Sequence, residues 1–397
     1  MAFLLALVLI ASALVALATL ATRRRLCFSS QPSLTSDHAN SGATTPSQRE
    51  KKKGRSSESP ESKPNIEALP DFDWRSTAPT KVTKLRPFKP TYNITMAIQT
   101  STPSELIVMD NNYLDRVTAR RKTIADHGSA VFGAIPSGHA PVKELYSYLL
   151  SKYLPTRYPT MFNLIQTPHG SHTTVSMLRN KVTNLEFPVD PAPRDPAEML
   201  QILGETVEDD MFLLLQDQDS HNTTTTSNGE HRAVAFVCCH PAGFDPSSKL
   251  GKRLAEIHGP VPAYDKIGAS MERFFGRLEV GRGVRRVNWS FQTHPELYAP
   301  SGNHVHAGEK VEEEASIDME RARFRVELQT LTRLPETQAI LFSFKTYMYP
   351  LDEIRAEGLG PQLADAIDGL KAGNAPGMWV YKGGVRWGKA ACEYLRA

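Results

Sequence analysis

Apolar residues recur along this chain with two different periods, and the change from one to the other predicts the order of its secondary structure. Spacings of three and four residues place apolar side chains on one helix face. They predict helices over residues 113–126, 142–154, 197–206, 249–257, 264–278, 361–371 and 390–396. Short apolar runs and alternation predict strands over residues 105–109, 211–215, 232–239, 284–292, 321–331 and 338–347. Because the long strands follow one another late in the chain, the pattern favours an α+β fold with an antiparallel sheet over a doubly wound fold.

The amino-terminal residues carry a different signal. Residues 3–22 contain no charge and have the length of a helix that spans a bilayer. Arg23, Arg24 and Arg25 follow directly, and no basic residue precedes the apolar run, so the positive-inside rule places the rest of the chain in the cytosol. A cleaved signal peptide is the alternative, but its basic residues come before a shorter apolar core. We therefore expect residues 1–25 to be a single-pass membrane anchor, with the endoplasmic reticulum as the expected membrane.

Residues 26–66 differ from the rest of the chain in being rich in serine, proline, threonine and charged residues. A segment of this composition cannot bury enough apolar surface to offset the entropy lost on ordering. The sequence therefore predicts a disordered polar linker over residues 26–66 and one folded domain over residues 67–397.

Composition and motifs narrow the classes of function. The chain of 397 residues has a net charge of +3 and no basic stripe with interleaved aromatic residues, which argues against nucleic-acid binding. Its four cysteines show neither a disulfide framework nor the spacing of a zinc or iron–sulfur site. No glycine-rich nucleotide fingerprint follows a predicted strand. A redox function would therefore need its flavin, iron–sulfur and nicotinamide sites on a partner protein.

A single histidine stands out at the end of a predicted helix. His258 follows Leu254 by four residues and therefore shares the apolar face of that helix. Gly259 suits the position just after a helix, so His258 should lie at its rigid end and point inward. Haem iron takes a neutral imidazole from such a fixed element in an apolar pocket. A buried histidine that only satisfies its hydrogen bonds is the alternative.

Polar residues alternate with apolar residues on two of the predicted late strands. Arg286 and Asn288 alternate with Val287 and Trp289 on one of them. On the next strand, polar residues at every second position share one face, and these are Arg323, Arg325, Glu327 and Gln329. A buried polar face of this kind is costly unless its members pair with one another or with a ligand. Pairing between arginine and glutamate is the alternative to a ligand site.

A second histidine pair lies in a polar segment. His304 and His306 have a spacing that metal ligands also use, but several glutamates follow them closely. We interpret this segment as a solvated loop rather than a metal site.

Several short segments, specific in their combined order and spacing, occur over residues 87–394. They are Tyr113 ahead of Arg120 and Arg121, Leu154–Pro159, Asp209–Leu214, Lys249–Gly251, Ile257–Pro262, Arg286–Trp289, Arg325–Leu331 and Arg333–Pro335. Together these segments resemble the DUF3445 family, whose fungal members are called HRQ proteins. That family includes the α subunit of haem-dependent oxidative N-demethylase.

The resemblance implies a PAS-like antiparallel sheet with surrounding helices that hold haem b. It implies oxidation of a methylated amine by O2 with release of formaldehyde. Electrons would come from a partner reductase that carries FMN, a 2Fe–2S cluster and an NADPH site. Carried over residue by residue, the resemblance assigns His258 as the iron ligand, Arg286, Trp289 and Tyr264 as further cofactor-binding residues, and Arg325, Gln329 and Arg286 as catalytic residues.

One position departs from the family pattern. An arginine usually precedes the glutamine, whereas this chain has Leu328 before Gln329. The departure leaves the substrate open. Two alternatives to an enzyme also remain, because fold does not determine function: a haem-binding PAS-like sensor or binding module at the membrane surface, and a descendant that has lost its haem.

Overall fold

Two antiparallel sheets organise the residues that the computed structural model describes, which are 65–85, 88–169, 173–190, 192–217, 229–306, 308–314 and 316–397. The strands are β1 (Gln99–Ser101), β2 (Phe132–Ala134), β3 (Phe162–His169), β4 (Thr173–Asn180), β5 (Leu185–Asp190), β6 (Asp210–Gln216), β7 (His231–Val237), β8 (Gly283–Gln292), β9 (Arg323–Arg333) and β10 (Ile340–Pro350). The larger sheet has the order β1-β8-β9-β10-β6-β7-β2, and the smaller one has the order β3-β4-β5. The predicted α+β fold with an antiparallel sheet is confirmed.

Helices precede, interrupt and follow the strands of the larger sheet. They are α1 (Val82–Leu85), α2 (Tyr113–His127), α3 (His139–Ser147), α4 (Leu154–Arg157), α5 (Pro196–Thr206), α6 (Leu254–Ile257), α7 (Asp265–Arg277), α8 (Leu351–Ala356), α9 (Gly360–Asp368), α10 (Met378–Tyr381) and α11 (Gly384–Arg396). A π-helical turn over Tyr148–Tyr153 joins α3 to α4.

The two faces of the larger sheet have different coverings. On β6 and β10, Met211 and Leu341 pack into an apolar core with residues of α2, α3 and α5. On β8 and β9, Trp289 and Phe324 pack on the same side against α8, α9 and α11. Because successive side chains of a strand point to opposite faces, other residues of these strands face α6 and α7, as Leu214 does.

Several boundaries differ from the sequence predictions. The predicted strand over residues 105–109 is wrong, since Pro103–Glu105 form a 3-10 turn and no strand follows. The predicted helix over residues 249–257 begins only at Leu254, because Gly251 adopts a φ of +78° that breaks the helical path. The predicted helix end before Pro155 is also wrong. Proline is tolerated in a first helical turn, where its missing N–H has no partner to lose, and Pro155 occupies such a position in α4.

Other elements were outside the prediction or lie outside the described part of the chain. The sheet β3-β4-β5 was not predicted. The predicted anchor over residues 1–25 falls outside the described residues, as does all of the predicted linker except residues 65 and 66. Among the described residues, no helix combines the length and the hydrophobicity needed to span a bilayer.

Candidate functional site

A cavity lies between the larger sheet and helices α6, α7 and α10, on the sheet face opposite the two apolar cores. Its volume is about 290 Å³, close to the lower end of the range of ~300–1,000 Å³ for cofactor and ligand sites. Its floor comes from β6, β8, β9 and β10, and its roof comes from α6, α7 and α10. Residues 92–98 and the loop after β7 complete the wall. Most of the lining is aliphatic, aromatic or methionine, so the cavity suits a largely apolar group.

His258 lies in the cavity wall immediately after α6. Its Nδ1 donates a hydrogen bond of 2.8 Å to the carbonyl oxygen of Leu254, one helical turn earlier. A carbonyl can only accept, so the proton is on Nδ1 and the lone pair is on Nε2. Nε2 has no hydrogen-bond partner among the described residues. The four-residue spacing from Leu254 to His258 places the ring beside the Leu254 carbonyl oxygen, and this hydrogen bond fixes the tautomer.

Tyr264 holds the ring of His258 from the start of α7. The two rings are nearly parallel, with centroids 4.7 Å apart and planes inclined by 4°. Burial lowers the pKa of His258, the hydrogen bond to Leu254 opposes this shift, and the positive charge of Arg286 adds to it. The imidazole is therefore neutral at pH 7, which is the form that binds a metal.

Two polar residues of β9 face the cavity together with Arg286 and Asn288 of β8. Glu327 Oε2 accepts hydrogen bonds from the amide of Gln329 at 2.8 Å and from that of Asn288 at 3.3 Å. Arg286 lies directly opposite Gln329 in the β8–β9 register. The structure thus brings Arg286 and Gln329 together with His258 and Tyr264 around one cavity, four of the six residues that the sequence singled out.

Two of the six predicted site residues do not line the cavity, and Arg325 is the first of them. It shares the strand face of Glu327 but is fully buried and does not line the cavity. Its guanidinium donates to the carbonyl oxygens of His240 at 2.5 Å and Leu297 at 3.1 Å, and to Gln292 Oε1 at 3.3 Å. These bonds tie the loop after β7 and the loop after β8 to β9. The arrangement is that of a structural anchor, because both Nη groups already donate to protein acceptors, and only the buried Nε has no acceptor among the described residues.

Trp289 is the second predicted site residue that does not line the cavity. It lies on the opposite face of β8, in the core that packs against the carboxy-terminal helices, and therefore does not line the cavity. The strand period of two residues is the reason, since Arg286, Asn288 and Ser290 take the cavity face. Leu328 belongs to the same core as Trp289. An arginine at position 328 would therefore also point away from the cavity.

His304 lines the cavity, and its interpretation as part of a solvated loop is wrong. Its Nδ1 lies 3.4 Å from the carbonyl oxygen of Gly243, and its ring stacks on Tyr381 with centroids 4.4 Å apart and an inclination of 11°. Burial, followed by the positive charge of Lys382, lowers the pKa of His304 to about 3. The glutamates that follow in the sequence favoured a solvated loop, whereas the apolar Val305, which the structure buries, is the sequence signal that could have indicated a buried position for His304.

The charged residues of the lining fit an anionic group. Among the described lining residues there are three basic side chains, Lys249, Arg286 and Lys382, and one carboxylate, Glu327. A haem b carries two propionates and an apolar macrocycle, so the surplus of positive charge and the apolar walls both suit it. The free Nε2 of a neutral His258 supplies the donor that haem iron requires. The residues present therefore fit this cofactor.

A comparison with protein families agrees with the resemblance seen in the sequence. Residues 97–392 match the family model described as haem-dependent oxidative N-demethylase, alpha subunit-like. The matched range includes His258 and all cavity-lining strands and helices. The chain therefore belongs to the haem-dependent oxidative N-demethylase, alpha subunit-like family.

Proposed function

We propose that this protein is a haem-dependent oxidoreductase that removes a methyl group from an amine, using O2 and electrons from a partner reductase. The overall change is balanced when one methylated amine, one O2, two electrons and two protons give the demethylated amine, one formaldehyde and one water. The observation that carries the proposal is a neutral imidazole, His258, whose free Nε2 lies in an apolar cavity of a chain that belongs to this family.

In this proposal His258 holds the iron of haem b. Its Nδ1 hydrogen bond and the stacking on Tyr264 fix the ring in two directions. A ligand fixed by such outer contacts is oriented before the metal arrives. Arg286 and Lys249, whose positive charges both act on His258, are the propionate partners that we propose. When bound, haem supplies the one-electron and oxygen chemistry that oxidises the carbon next to the amine nitrogen.

The chain's own residues would orient the reactants and exclude water. Gln329 is 7% exposed and its amide is held by Glu327, so its position is fixed before substrate binds. A donor that is fixed in a dry site stabilises developing negative charge without reorganising. Phe212, Phe344 and Leu331 would keep bulk water from the reacting atoms. Gln329 and Arg286 are therefore the two polar side chains to which we assign catalytic roles.

The sheet that carries these residues is the part of the fold that we propose to be PAS-like. It comprises the five strands β7-β6-β10-β9-β8 in that spatial order. The helices α6 and α7 lie between β7 and β8 in the chain and cover one face of these strands. Flavin, iron–sulfur and nicotinamide groups are assigned to the reductase, and the apolar residues 3–22 are proposed to hold the domain at a membrane, facing the cytosol.

An absorption spectrum tests the role of His258. The full-length protein, purified in mild detergent and reconstituted with haem, should show a Soret band. The variant His258→Ala should lose this band or shift it, and added imidazole should restore it by filling the space that the side chain leaves. His306→Ala is the matched control, because His306 is exposed and outside the cavity. The proposal is wrong if the wild-type protein gives no Soret band or if the spectrum of His258→Ala is unchanged.

Turnover tests the reaction itself. Wild-type protein with haem, a chemical or enzymatic reductant and O2 should release formaldehyde from a methylated amine. A protein that binds haem and O2 but releases no formaldehyde from any methylated amine would be a sensor rather than an enzyme.

A further inference from the structure

We propose that small molecules reach the cavity by displacing residues 95–98, here termed the strap, which Asn374 holds across the cavity mouth. Such a route is open to any small ligand and does not depend on which cofactor the cavity holds. Thr95, Met96 and Ile98 line the cavity. Ile98 nevertheless keeps 38% of its surface exposed. The strap therefore separates the cavity from bulk solvent.

The backbone of the strap has little support from hydrogen bonds. Residues 92–98 belong to no helix or strand. No described residue makes a hydrogen bond with the backbone of residues 95–97. Segments whose backbone groups are bonded only to solvent open at low cost in free energy. The strap can therefore move without disrupting the sheet or a helix.

The loop after β7 is irregular and lines the cavity as well, but it is fixed. Gly243 N donates to the carbonyl oxygen of Ala299 at 2.7 Å, and Ala299 N donates to that of Pro241 at 3.1 Å. Arg325 donates to the carbonyl oxygen of His240. Of these two irregular segments, the strap is therefore the one that can move aside for a ligand.

Asn374, in the segment before α10, latches the amino-terminal end of the strap. Its Oδ1 accepts a hydrogen bond of 2.7 Å from Ile94 N, and its Nδ2 donates one of 3.3 Å to the Ile94 carbonyl oxygen. Its backbone N–H donates to Asn93 Oδ1 at 3.1 Å. Its carbonyl oxygen accepts a bond of 2.6 Å from Lys266 Nζ of α7. One residue thus ties the strap to the roof helix, while β1 ties the other end of the strap to β8.

Ala97 gives the closed strap a strained conformation. Its φ of +50° lies in the left-handed region, where the Cβ atom crowds the following carbonyl oxygen. Such strain persists only where the surrounding structure enforces it. Ala97 is exposed, so packing of its side chain does not enforce it and the attachments at the two ends of the strap must. Weakening the latch should therefore favour the open strap.

A thiol placed inside the cavity measures how often the strap opens. Met271→Cys places it on α7, because Met271 lines the cavity and is 6% exposed. The full-length protein in mild detergent is treated with methyl methanethiosulfonate, a small uncharged reagent, and mass spectrometry follows the label at each cysteine. Adding Asn374→Ala should speed labelling at position 271 at least about fivefold, because two hydrogen bonds to Ile94 are lost.

A second variant tests the strain at Ala97 independently of the latch. A β-branched residue tolerates the left-handed conformation less well than alanine does, so Ala97→Val should also speed labelling at position 271. Asn111→Ala is the matched control. Asn111 is exposed, and its side chain makes no hydrogen bond with a described residue. Its replacement should leave the labelling rate within about twofold of the rate without it.

Cys239 distinguishes opening of the strap from unfolding of the domain. It is fully buried in the apolar core on the opposite face of the sheet, so neither strap variant should change its labelling rate. Equal acceleration at Cys239 and at position 271 in both variants would show entry by global unfolding and overturn the proposal. An unchanged rate at position 271 in both would overturn it too. The Soret band tests the proposed function alone, so either proposal can fail without the other.

Discussion

Single side chains set the chemistry of the cavity, and the sequence reveals some of them better than others. His258 was predictable because helical spacing fixes both its face and its position at a helix end. Glu327 and Gln329 were predictable as a shared strand face. How deeply each residue of that face is buried was not predictable, so Arg325 received a catalytic role from the resemblance although its guanidinium donates to backbone carbonyls. A period of two residues gives the face of a strand and carries no information about which loops will cover it.

Arg325 should therefore matter for stability first. Arg325→Gln removes a buried guanidinium that makes three hydrogen bonds. Hydrogen bonds to charged groups contribute ~1.5–3 kcal/mol each, so the free energy of unfolding should fall by at least about 3 kcal/mol. Urea unfolding of the variant and of wild-type protein measures this difference.

Arg321→Gln is the control for that measurement. Arg321 is exposed and makes only a 3.5 Å surface ion pair with Glu296, so its loss should cost less than about 1 kcal/mol. If Arg325→Gln abolished turnover while stability stayed at the wild-type value, Arg325 would instead be a catalytic residue.

Helices and strands were predicted where one period dominates a long segment. The late strands β8, β9 and β10 alternate over ten or eleven residues each, and all three were found. The helix before His258 was predicted too long, because Gly251 interrupts a pattern whose apolar spacing continues through it. The strands β3, β4 and β5 were missed. β3 and β4 bury few of their described residues, so the contrast between buried and exposed faces is weak there.

The packing of α9 on α11 depends on a glycine. A Cβ added at Gly360 would lie 2.1 Å from the carbonyl oxygen of Leu395 in α11. Alanine normally stabilises a helix by about 1 kcal/mol over glycine, but such a clash with backbone forces the two helices apart at a cost of about 1–3 kcal/mol. Gly360→Ala should therefore lower the melting temperature.

The decrease in melting temperature expected for Gly360→Ala is specific to position 360. A Cβ at Gly259 would meet its nearest neighbour, the Glu256 carbonyl oxygen, at an ordinary 3.5 Å. Gly259→Ala should leave the melting temperature unchanged or raise it slightly. A rise for Gly360→Ala would mean that α9 and α11 can separate without cost.

At the scale of the whole molecule, a buried network of charged side chains joins distant parts of the chain, and no short sequence pattern predicts it. Lys345 of β10 lies 2.7 Å from Asp110 and 2.5 Å from Glu208, residues far away in the chain. Burial alone would lower the pKa of Lys345, but these two carboxylates raise it. Sequence reasoning assigned the antiparallel sheet correctly and could not assign this network, because its partners meet only when the tertiary structure is complete.

The same region should make stability depend on pH. Burial raises the pKa of Asp209 to about 7, although the charge of Lys345 opposes the shift. Between the ordinary pKa near 4 and pH 7, the folded protein keeps a proton on Asp209 that the unfolded chain releases. The contribution of Asp209 to the free energy of unfolding should therefore fall as pH rises from about 4 to 7, by ~1.4 kcal/mol for each unit of pKa difference.

Asp209→Asn isolates this contribution, because asparagine cannot titrate and retains an oxygen for the hydrogen bond from Ser343. Urea unfolding of both proteins at pH 5, 6 and 7 gives the difference in stability at each pH. The wild-type protein should lose stability relative to Asp209→Asn across this series. A constant difference would show that Asp209 is ionised throughout.

The walls of the cavity come from points spread over most of the sequence, from Tyr92 to Lys382. During translation the amino-terminal parts emerge first, and the last wall, α10, emerges only after residues 1–377 have been made. A nascent chain that stops before residue 378 has strands and an imidazole but no closed chamber. If the protein holds haem as proposed, the cofactor can be enclosed only after α10 has been made, and a chain terminated before residue 378 should show no Soret band.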